Sequence, residues 1–505
     1  MSKKYSNTKR NVVLSYINLL TQMITGFFLL PFIVSALGNS AYGLMELVYT
    51  VTGFVGVLDF GFGNAVIRYT ALYNTKERKN KINIIATYSF FIYSIIAILV
   101  FGFGLLVYFN FGYIFNLSSQ EINIGKIIFI IGLANSLLQL PATTFSAVIR
   151  GYNKYNFYYV TMIAKTLFRM IIIIIMFKLN YGLITLFIVD LVVNLLLNIS
   201  WFIFNIKKLE FKFTFGKIDK KLRNEFLKYS FYIFLIIITD KIYWKTDNIL
   251  LGILTTTDDI AIYSVSQKIV NYFRSIAIAF GSAFLPKLTN MSSGKKVNKE
   301  IISFFKRASK YQFVIVLLFL TNFIFLGKDF ITLWVGKDFI SAYKYSLIIM
   351  IPLSVSLFQT TGPNILQAIN KHQKQSIVFL FNALLNIVLT IFLVKKYGVI
   401  GASIGTSFAM LLGNVIFMNI YYYKIFNLNM FYYLKEVCFK VFISILPTLI
   451  LLFVFNFLLK EVTYINFIIK ALFPNIIYLI MVYLFALSED DKMIFKKIVN
   501  RFKFV

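Results

Sequence analysis

Long apolar segments dominate this sequence and limit what it can fold into. A helix needs about 20 mostly apolar residues to cross roughly 30 Å of hydrocarbon. Fourteen segments reach this length: 11–36, 41–68, 82–109, 122–148, 155–177, 181–204, 226–253, 260–286, 306–326, 340–369, 374–394, 398–422, 434–459 and 464–487. Backbone groups in lipid must be hydrogen-bonded within their own segment or in a closed barrel, and these runs are too long for barrel strands. The sequence therefore predicts an all-α integral membrane protein with about fourteen transmembrane helices.

Three pairs of short segments indicate an internal repeat. They are Phe62–Arg68 with Phe280–Lys287, Asn153–Lys154 with Asn370–Lys371, and Tyr181–Ile184 with Tyr397–Ile400. Their offsets of 218, 217 and 216 residues are nearly equal, and six predicted spans separate the members of each pair. Because six is even, the two halves share one orientation across the membrane. We therefore predict two parallel-repeat six-helix bundles followed by two C-terminal helices, an architecture typical of transporters.

The repeat divides the chain into five parts. We predict an N-terminal six-helix bundle at 1–204, a cytoplasmic linker at 205–225, a C-terminal six-helix bundle at 226–425, two additional transmembrane helices at 426–488 and a cytoplasmic tail at 489–505. The connecting segments are too short for a folded domain outside the membrane.

The net charge of +31 is distributed as in a membrane protein. Lys and Arg are concentrated in alternate connecting segments, most densely between Lys207 and Lys228 and between Lys287 and Lys310. This asymmetry is typical of cytoplasmic segments, so both termini are predicted to lie in the cytoplasm. The same segments attract anionic headgroups, and we therefore expect membrane lipids, and not nucleic acid, as partners.

The chain has one cysteine, Cys438, and one histidine, His372. A single cysteine excludes an intrachain disulfide. These two residues are also too few for a metal site with nitrogen and sulfur ligands. We expect no metal and no cofactor.

Several charged and amide side chains lie inside the predicted spans, where a charge costs about 2.5–3.5 kcal/mol to insert. The candidate binding residues are Asn18, Asp59, Lys165, Arg169, Asp190, Asp240, Lys245, Asp247, Lys268 and Arg274. Lys165 and Arg169 lie one turn apart on one face of the fifth span. Two interpretations stay open for acids such as Asp190 and Asp247: they form structural ion pairs with neighbouring bases, or they belong to a binding site.

The bases outnumber the acids in this part of the chain. Away from their ends, the fifth, seventh and eighth spans hold six basic residues, against four Asp residues in or near them. The bases are Lys165, Arg169, Lys241, Lys245, Lys268 and Arg274, and the acids are Asp59, Asp190, Asp240 and Asp247. Because uncompensated buried charge is costly, the surplus indicates a cavity that binds an anionic ligand.

Short motifs carry a resemblance to a known family. Asp247–Gly252 (DNILLG), followed by Ala261–Ile269 (AIYSVSQKI), resembles the Asp-x-Ile-x-x-Gly helix end and the Gly-Ile-Tyr-Ser-Val-Ala-like helix start of the bacterial polysaccharide flippases. Leu37–Leu44 and Leu58–Gly61 are similar to the turn after the first span and to the second-span motif of that family. These are the Wzx-like exporters of O-antigen and capsule repeats, within the multidrug/oligosaccharidyl-lipid/polysaccharide (MOP) exporter superfamily.

The resemblance implies a flippase for cell-surface polysaccharide biosynthesis. Its substrate would be an undecaprenyl-diphosphate-linked oligosaccharide repeat unit, moved from the inner to the outer leaflet of the bacterial cytoplasmic membrane by alternating access. The basic candidates would neutralise the diphosphate, and neutral amides such as Asn18 would bind sugar hydroxyls. Polysaccharide polymerase and chain-length proteins are further candidate partners.

Other functions fit less well. Ion-coupled multidrug exporters belong to the same superfamily, but they commonly use an acidic residue in the first span, which this chain lacks. Peptidoglycan-precursor flippases carry arginines in their first two spans, whereas here only Arg68 lies there. A membrane glycosyltransferase or polymerase needs a nucleotide-sugar domain or a large catalytic loop, and neither is predicted. We therefore expect a transporter and not an enzyme.

Overall fold

The computed structural model describes residues 2–55, 60–74, 79–216, 219–282, 291, 297–369, 371, 373–489 and 491–493. All regular elements in these ranges are helices. The chain forms two compact units, Met1–Ser264 and Val265–Val505.

The first unit is organised around one central helix, α6. The helices are α1 (Ser2–Leu37), α2 (Asn39–Val55), α3 (Phe62–Leu72), α4 (Lys79–Phe109), α5 (Phe111–Ile114), α6 (Ser119–Gly151), α7 (Tyr155–Lys178), α8 (Leu183–Leu209), α9 (Lys220–Leu254) and α10 (Thr257–Ser282), which continues into the second unit. Helix α6 packs against α2, α3, α4, α7 and α8. Side chains on the faces of α6 that meet these helices therefore lie inside the unit.

A change of backbone direction before α3 divides the second predicted span. Phe60 has φ 47° and Gly61 has φ 71°, both in the left-handed region that favours glycine. A Cβ at Gly61 would lie 2.6 Å from the carbonyl oxygen of Ser230 on α9. Because only glycine fits this approach, the segment predicted as one span at 41–68 contains two helices, α2 and α3.

The described part of the predicted linker is fixed to α4. After α8 the chain runs without helix from Glu210 to Gly216. Phe211 is buried, and the Thr214 backbone N–H donates to Thr87 Oγ1 at 3.0 Å. Lys79 and Glu210 form an exposed ion pair at the start of this stretch.

The second unit contains the remaining helices. They are α11 (Lys299–Trp334), α12 (Ala342–Phe358), α13 (Thr361–Ala368), α14 (Gln373–Tyr397), α15 (Val399–Met410), α16 (Met418–Phe426), α17 (Met430–Leu458) and α18 (Tyr464–Met481). A π-helical segment, Leu411–Phe417, joins α15 to α16.

Polar contacts join the C-terminal helices to α11 inside the second unit. Lys470 of α18 is buried and donates to Asp329 of α11 at 2.9 Å. Asn322 and Asn475 exchange amide hydrogen bonds of 2.8 and 2.9 Å. These pairs satisfy each other's hydrogen-bonding groups, as helices packed in lipid require.

Side-chain caps define where several helices begin. Ser118 and Glu121 form a capping box at the start of α6. Asn298 accepts from the Ile301 N–H at 2.9 Å, and Thr463 accepts from the Asn466 N–H at 3.2 Å. These polar residues stop each apolar helix from extending further towards its N-terminus.

The length and surface of the helices confirm the predicted class, an all-α integral membrane protein. Ten helices within the described ranges are long and apolar enough to cross a membrane, and α12 with α13, bent by 44°, makes an eleventh. Large side chains along them are exposed, including Phe103 (69%) and Phe392 (70%), as expected for surfaces in lipid. The count of fourteen stays a prediction, because α2 and α3 are short and α9 and α10 carry several charges.

Candidate functional site

A cavity of about 400 Å³ lies inside the first unit, between α2, α6, α7 and α8. Its lining includes many polar residues, among them Lys165 of α7 and Asp190 of α8, two of the predicted binding residues. The volume falls in the range of small-molecule sites. The cavity is therefore the candidate site in this unit.

Arg169 and Asp190 form an ion pair at the edge of this cavity. Arg169 donates through Nε to Asp190 Oδ1 and through Nη2 to Oδ2, the latter at 3.1 Å. The Tyr49 hydroxyl also donates to Asp190 Oδ2. The Tyr49 ring stacks on Phe187, with centroids 4.5 Å apart. Of the two interpretations of Asp190, the structure shows the ion pair with Arg169, held in place by Tyr49.

Lys165 faces the same cavity without such a partner. It lies one turn before Arg169 on α7 and is half-buried. It makes no hydrogen bond or ion pair with any residue in the described ranges. With Lys165 and Arg169 positive and Asp190 negative, the described ionisable groups of the site carry one surplus positive charge. An ammonium group at this depth needs water or an anion as its partner.

One wall of the cavity is a polar face of α6 that the sequence analysis did not identify. It consists of Asn135, Ser136, Gln139 and Thr143. Asn194 of α8 donates from Nδ2 to Asn135 Oδ1 at 3.1 Å. The sequence does contain a pattern that indicates this face. Asn135, Gln139 and Thr143 follow i, i+4, i+8 spacing within an apolar span, which places them on one side of the helix.

The predicted residues of α9 lie elsewhere in the first unit. Asp247 is buried, and its Oδ2 accepts from the Tyr263 hydroxyl at 2.6 Å. Asp240 is exposed and Lys245 is half-buried, and both make further interactions. None of the three lines the α2–α6–α7–α8 cavity.

The remaining predicted residues are distributed over both units. Asn18 is half-buried on α1, away from the cavity lining. Lys268 and Arg274 are half-buried on the part of α10 that belongs to the second unit, so their role in a common site stays a prediction. Asp59, like His372, lies outside the described residues.

A second polar group, which we call the Glu121 cluster, joins three helix starts in the first unit. It consists of Ser40 of α2, Glu121 of α6 and Thr257 of α10. Glu121 Oε1 accepts from Ser40 Oγ at 2.6 Å and from Thr257 Oγ1, and Thr257 Oγ1 lies 3.1 Å from Ser40 Oγ. A Cβ at Gly43 would lie 1.8 Å from the Thr257 carbonyl oxygen, so glycine permits this approach.

The sequence matches one protein-family model and is similar to two transporter or flippase sequences. Residues 8–292 match the model of a family described as "Polysaccharide biosynthesis protein". The chain is 21% identical over 413 residues to the "Putative O-antigen transporter" of Shigella flexneri, covering 78% of this chain and 92% of that protein. It is 26% identical over 174 residues to the "Probable flippase AglR" of Haloferax volcanii, a match that spans 34% of this chain and only 36% of that protein.

Two solved structures share the fold. The lipid II flippase MurJ in an inward closed conformation superposes with a TM-score of 0.73 at 19% identity, covering 94% of this chain and 98% of that chain. An inward-facing multidrug resistance MATE family transporter of the MOP superfamily gives a TM-score of 0.69 at 14% identity, covering 81% and 94%. At these identities the likeness concerns the fold alone, which a lipid flippase and a drug transporter both use.

Proposed function

This chain belongs to the polysaccharide biosynthesis protein family, and from that premise we propose that it moves an undecaprenyl-diphosphate-linked oligosaccharide from the inner to the outer leaflet of a bacterial cytoplasmic membrane. The predicted resemblance to polysaccharide flippases is confirmed by the family match and by the relative named as an O-antigen transporter. In this proposal both termini of the chain lie in the cytoplasm. It works by alternating access of the predicted bundles 1–204 and 226–425, and polysaccharide polymerase and chain-length proteins are its expected partners.

The observation that carries this proposal is the ammonium group of Lys165. It faces a cavity walled by α2, α6, α7 and α8 and makes no hydrogen bond or ion pair with a described residue. A diphosphate would supply the missing negative charge through charge-assisted hydrogen bonds. Arg169 is engaged in an ion pair with Asp190. It therefore adds positive potential to the site but is less available than Lys165 to bind the substrate directly.

The membrane potential favours movement of this substrate outwards. An anion leaving an inside-negative compartment gains about 2.3 kcal/mol per charge per 100 mV. If the Lys165 charge crossed the membrane together with the substrate, it would cancel part of the free energy that the anion gains from the membrane potential. If Lys165 stays near mid-membrane while access alternates, most of that free energy is preserved.

A multidrug exporter is the alternative, because the fold also occurs in a MATE transporter. The charge of the cavity argues against cationic drugs as its ligands. A site for a cation needs a net negative lining, whereas the described ionisable groups here have a net positive charge.

The test is flipping by purified protein in proteoliposomes. The probe is undecaprenyl diphosphate carrying a labelled N-acetylglucosamine, whose exposure is followed with a membrane-impermeant quencher. We expect wild-type protein to move the probe and Lys165→Met to reduce the initial rate by at least about tenfold, the loss expected when one charged hydrogen bond disappears. Lys178→Met, at the exposed end of the same helix, is the matched control and should keep the wild-type rate.

The possible outcomes test the proposed function and the role of Lys165 independently. Wild-type protein that does not move the probe would overturn the proposed function. Wild-type activity together with an unchanged rate in Lys165→Met would overturn the assignment of Lys165 while the function stands.

A further inference from the structure

We propose that the polar face of α6, formed by Asn135, Ser136, Gln139 and Thr143, recognises the sugar next to the diphosphate and so determines which glycan is carried. This inference rests on the proposed function and extends it from the anion to the sugar. The face lines the same cavity as Lys165. The face is electrically neutral. It can therefore form hydrogen bonds with a sugar, whereas the Lys165 ammonium group neutralises the charge of the diphosphate.

The hydrogen-bonding groups of this wall suit a polyol better than a phosphate. The hydroxyls of Ser136 and Thr143 donate to backbone carbonyls of their own helix, at 3.0 and 3.1 Å, which leaves their oxygen lone pairs as acceptors. A phosphate needs donors, and acceptors repel it. A sugar hydroxyl both donates and accepts, and the wall offers both functions once the Gln139 amide is included.

Two amide groups at the cavity retain unused capacity. The Gln139 side chain makes no hydrogen bond with another described residue. Asn194 Oδ1 is buried without a hydrogen-bond partner, although its Nδ2 is bonded to Asn135. An unmet buried polar group costs about 1–3 kcal/mol, so Asn194 Oδ1 gains from a hydrogen-bond donor, while the half-buried Gln139 amide is accessible from the cavity.

Gly53 of α2 leaves open space at the cavity. Gly53 lines the cavity, and a Cβ built there meets no atom within 4 Å. Glycine inside a helix is less favourable than alanine by about 0.5–1 kcal/mol, and its φ here is not in the left-handed region. Backbone conformation therefore does not require glycine at position 53, and the open space beside it is available to a bound ring.

The experiment compares two probes on the full-length protein in nanodiscs. One is undecaprenyl diphosphate, and the other is the same lipid carrying N-acetylglucosamine. We expect wild-type protein to bind the glycosylated probe more tightly. Gln139→Leu should weaken the glycosylated probe about tenfold and leave the bare diphosphate unchanged, because one hydrogen-bonding group is lost to the sugar alone. Lys165→Met should weaken both probes.

Three further variants keep the result interpretable. Gln120→Leu, an exposed glutamine at the start of the same helix, should bind both probes as wild type does. Gln139→Asn should recover part of the glycosylated-probe affinity, which a variant that had merely misfolded could not do. Gly53→Leu fills the open space without removing a hydrogen bond, and it should also weaken only the glycosylated probe.

The inference is overturned if wild-type protein binds both probes equally, or if Gln139→Leu weakens both to the same extent. Either result leaves the proposed function intact as long as wild-type protein still flips the glycosylated lipid. Absence of flipping in the wild type overturns both proposals together.

Discussion

Two lysines in apolar helices, one in each unit, occupy opposite electrostatic situations. Lys470 of α18 is only 2% exposed, and its ammonium group lies 2.9 Å from the carboxylate of Asp329. Lys165 of α7 is half-buried, faces a cavity and makes no hydrogen bond or ion pair within the described ranges. Paired charge inside a helix bundle joins helices, whereas unpaired charge beside a cavity is available to a ligand. The comparison therefore predicts separate effects on stability and on transport.

The largest effect on stability is expected from Lys470→Met, because it leaves Asp329 without its buried cation. Breaking one side of such a pair typically costs about 3 kcal/mol or more. Thermal unfolding in detergent should show a clearly lower midpoint than wild type. The double variant Lys470→Met/Asp329→Leu should recover most of the loss, since no charge is then left alone. A double variant as unstable as the single one would contradict a structural role for the pair.

Lys165→Met should behave in the opposite way. No carboxylate loses its main partner, because Asp190 stays bonded to Arg169 and Tyr49. The free energy of unfolding should change by no more than about 0.5 kcal/mol, while the initial rate of lipid transport falls at least about tenfold. If this variant were instead destabilised as much as Lys470→Met, the two lysines would not differ in the way described.

The smallest effect is expected from Glu210→Gln at the exposed ion pair with Lys79. The Glu210 side chain is 74% exposed. The hydrogen bond from Lys79 and its charge lower the pKa of the Glu210 carboxyl below its usual 4.5. Any stabilisation is therefore present at neutral pH and is lost as the pH falls through that lowered pKa. Exposed pairs contribute little, so unfolding at pH 7 should match wild type, and a marked loss would show that the linker depends on this contact.

The sequence predicted the fold class because that class depends on local patterns, whereas the role of Lys165 stays a prediction. Hydropathy over about 20 residues determines whether a helix can span the membrane. The helical period places Lys165 one turn from Arg169, and a charged residue in an apolar span is conspicuous. The sequence left open whether Asp190 pairs with a neighbouring base, and the structure shows an ion pair with Arg169.

Other features depend on contacts between distant segments and were not predicted. The break before α3 arises where Gly61 meets α9, some 170 residues later in the chain. The α6 face was not predicted, because neutral polar residues insert into membranes at lower cost than charges, so Asn135, Gln139 and Thr143 are compatible with an ordinary span. Lys470 and Asp329 are 141 residues apart, and their pairing requires the packing of α18 on α11.

The Glu121 cluster has a consequence for turnover. Thr257 at the start of α10 bonds to Glu121 of α6 and to Ser40 of α2, and the predicted division assigns α10 to the second repeat. In the proposed cycle these bonds must open once for each substrate that leaves. Hydrogen bonds to a charged group contribute about 1.5–3 kcal/mol each. A free-energy difference of that order between the closed and opened forms keeps the opened form at about 0.1–10% of molecules. The rate at which the opened form is reached sets an upper limit on how fast glycolipid can be delivered.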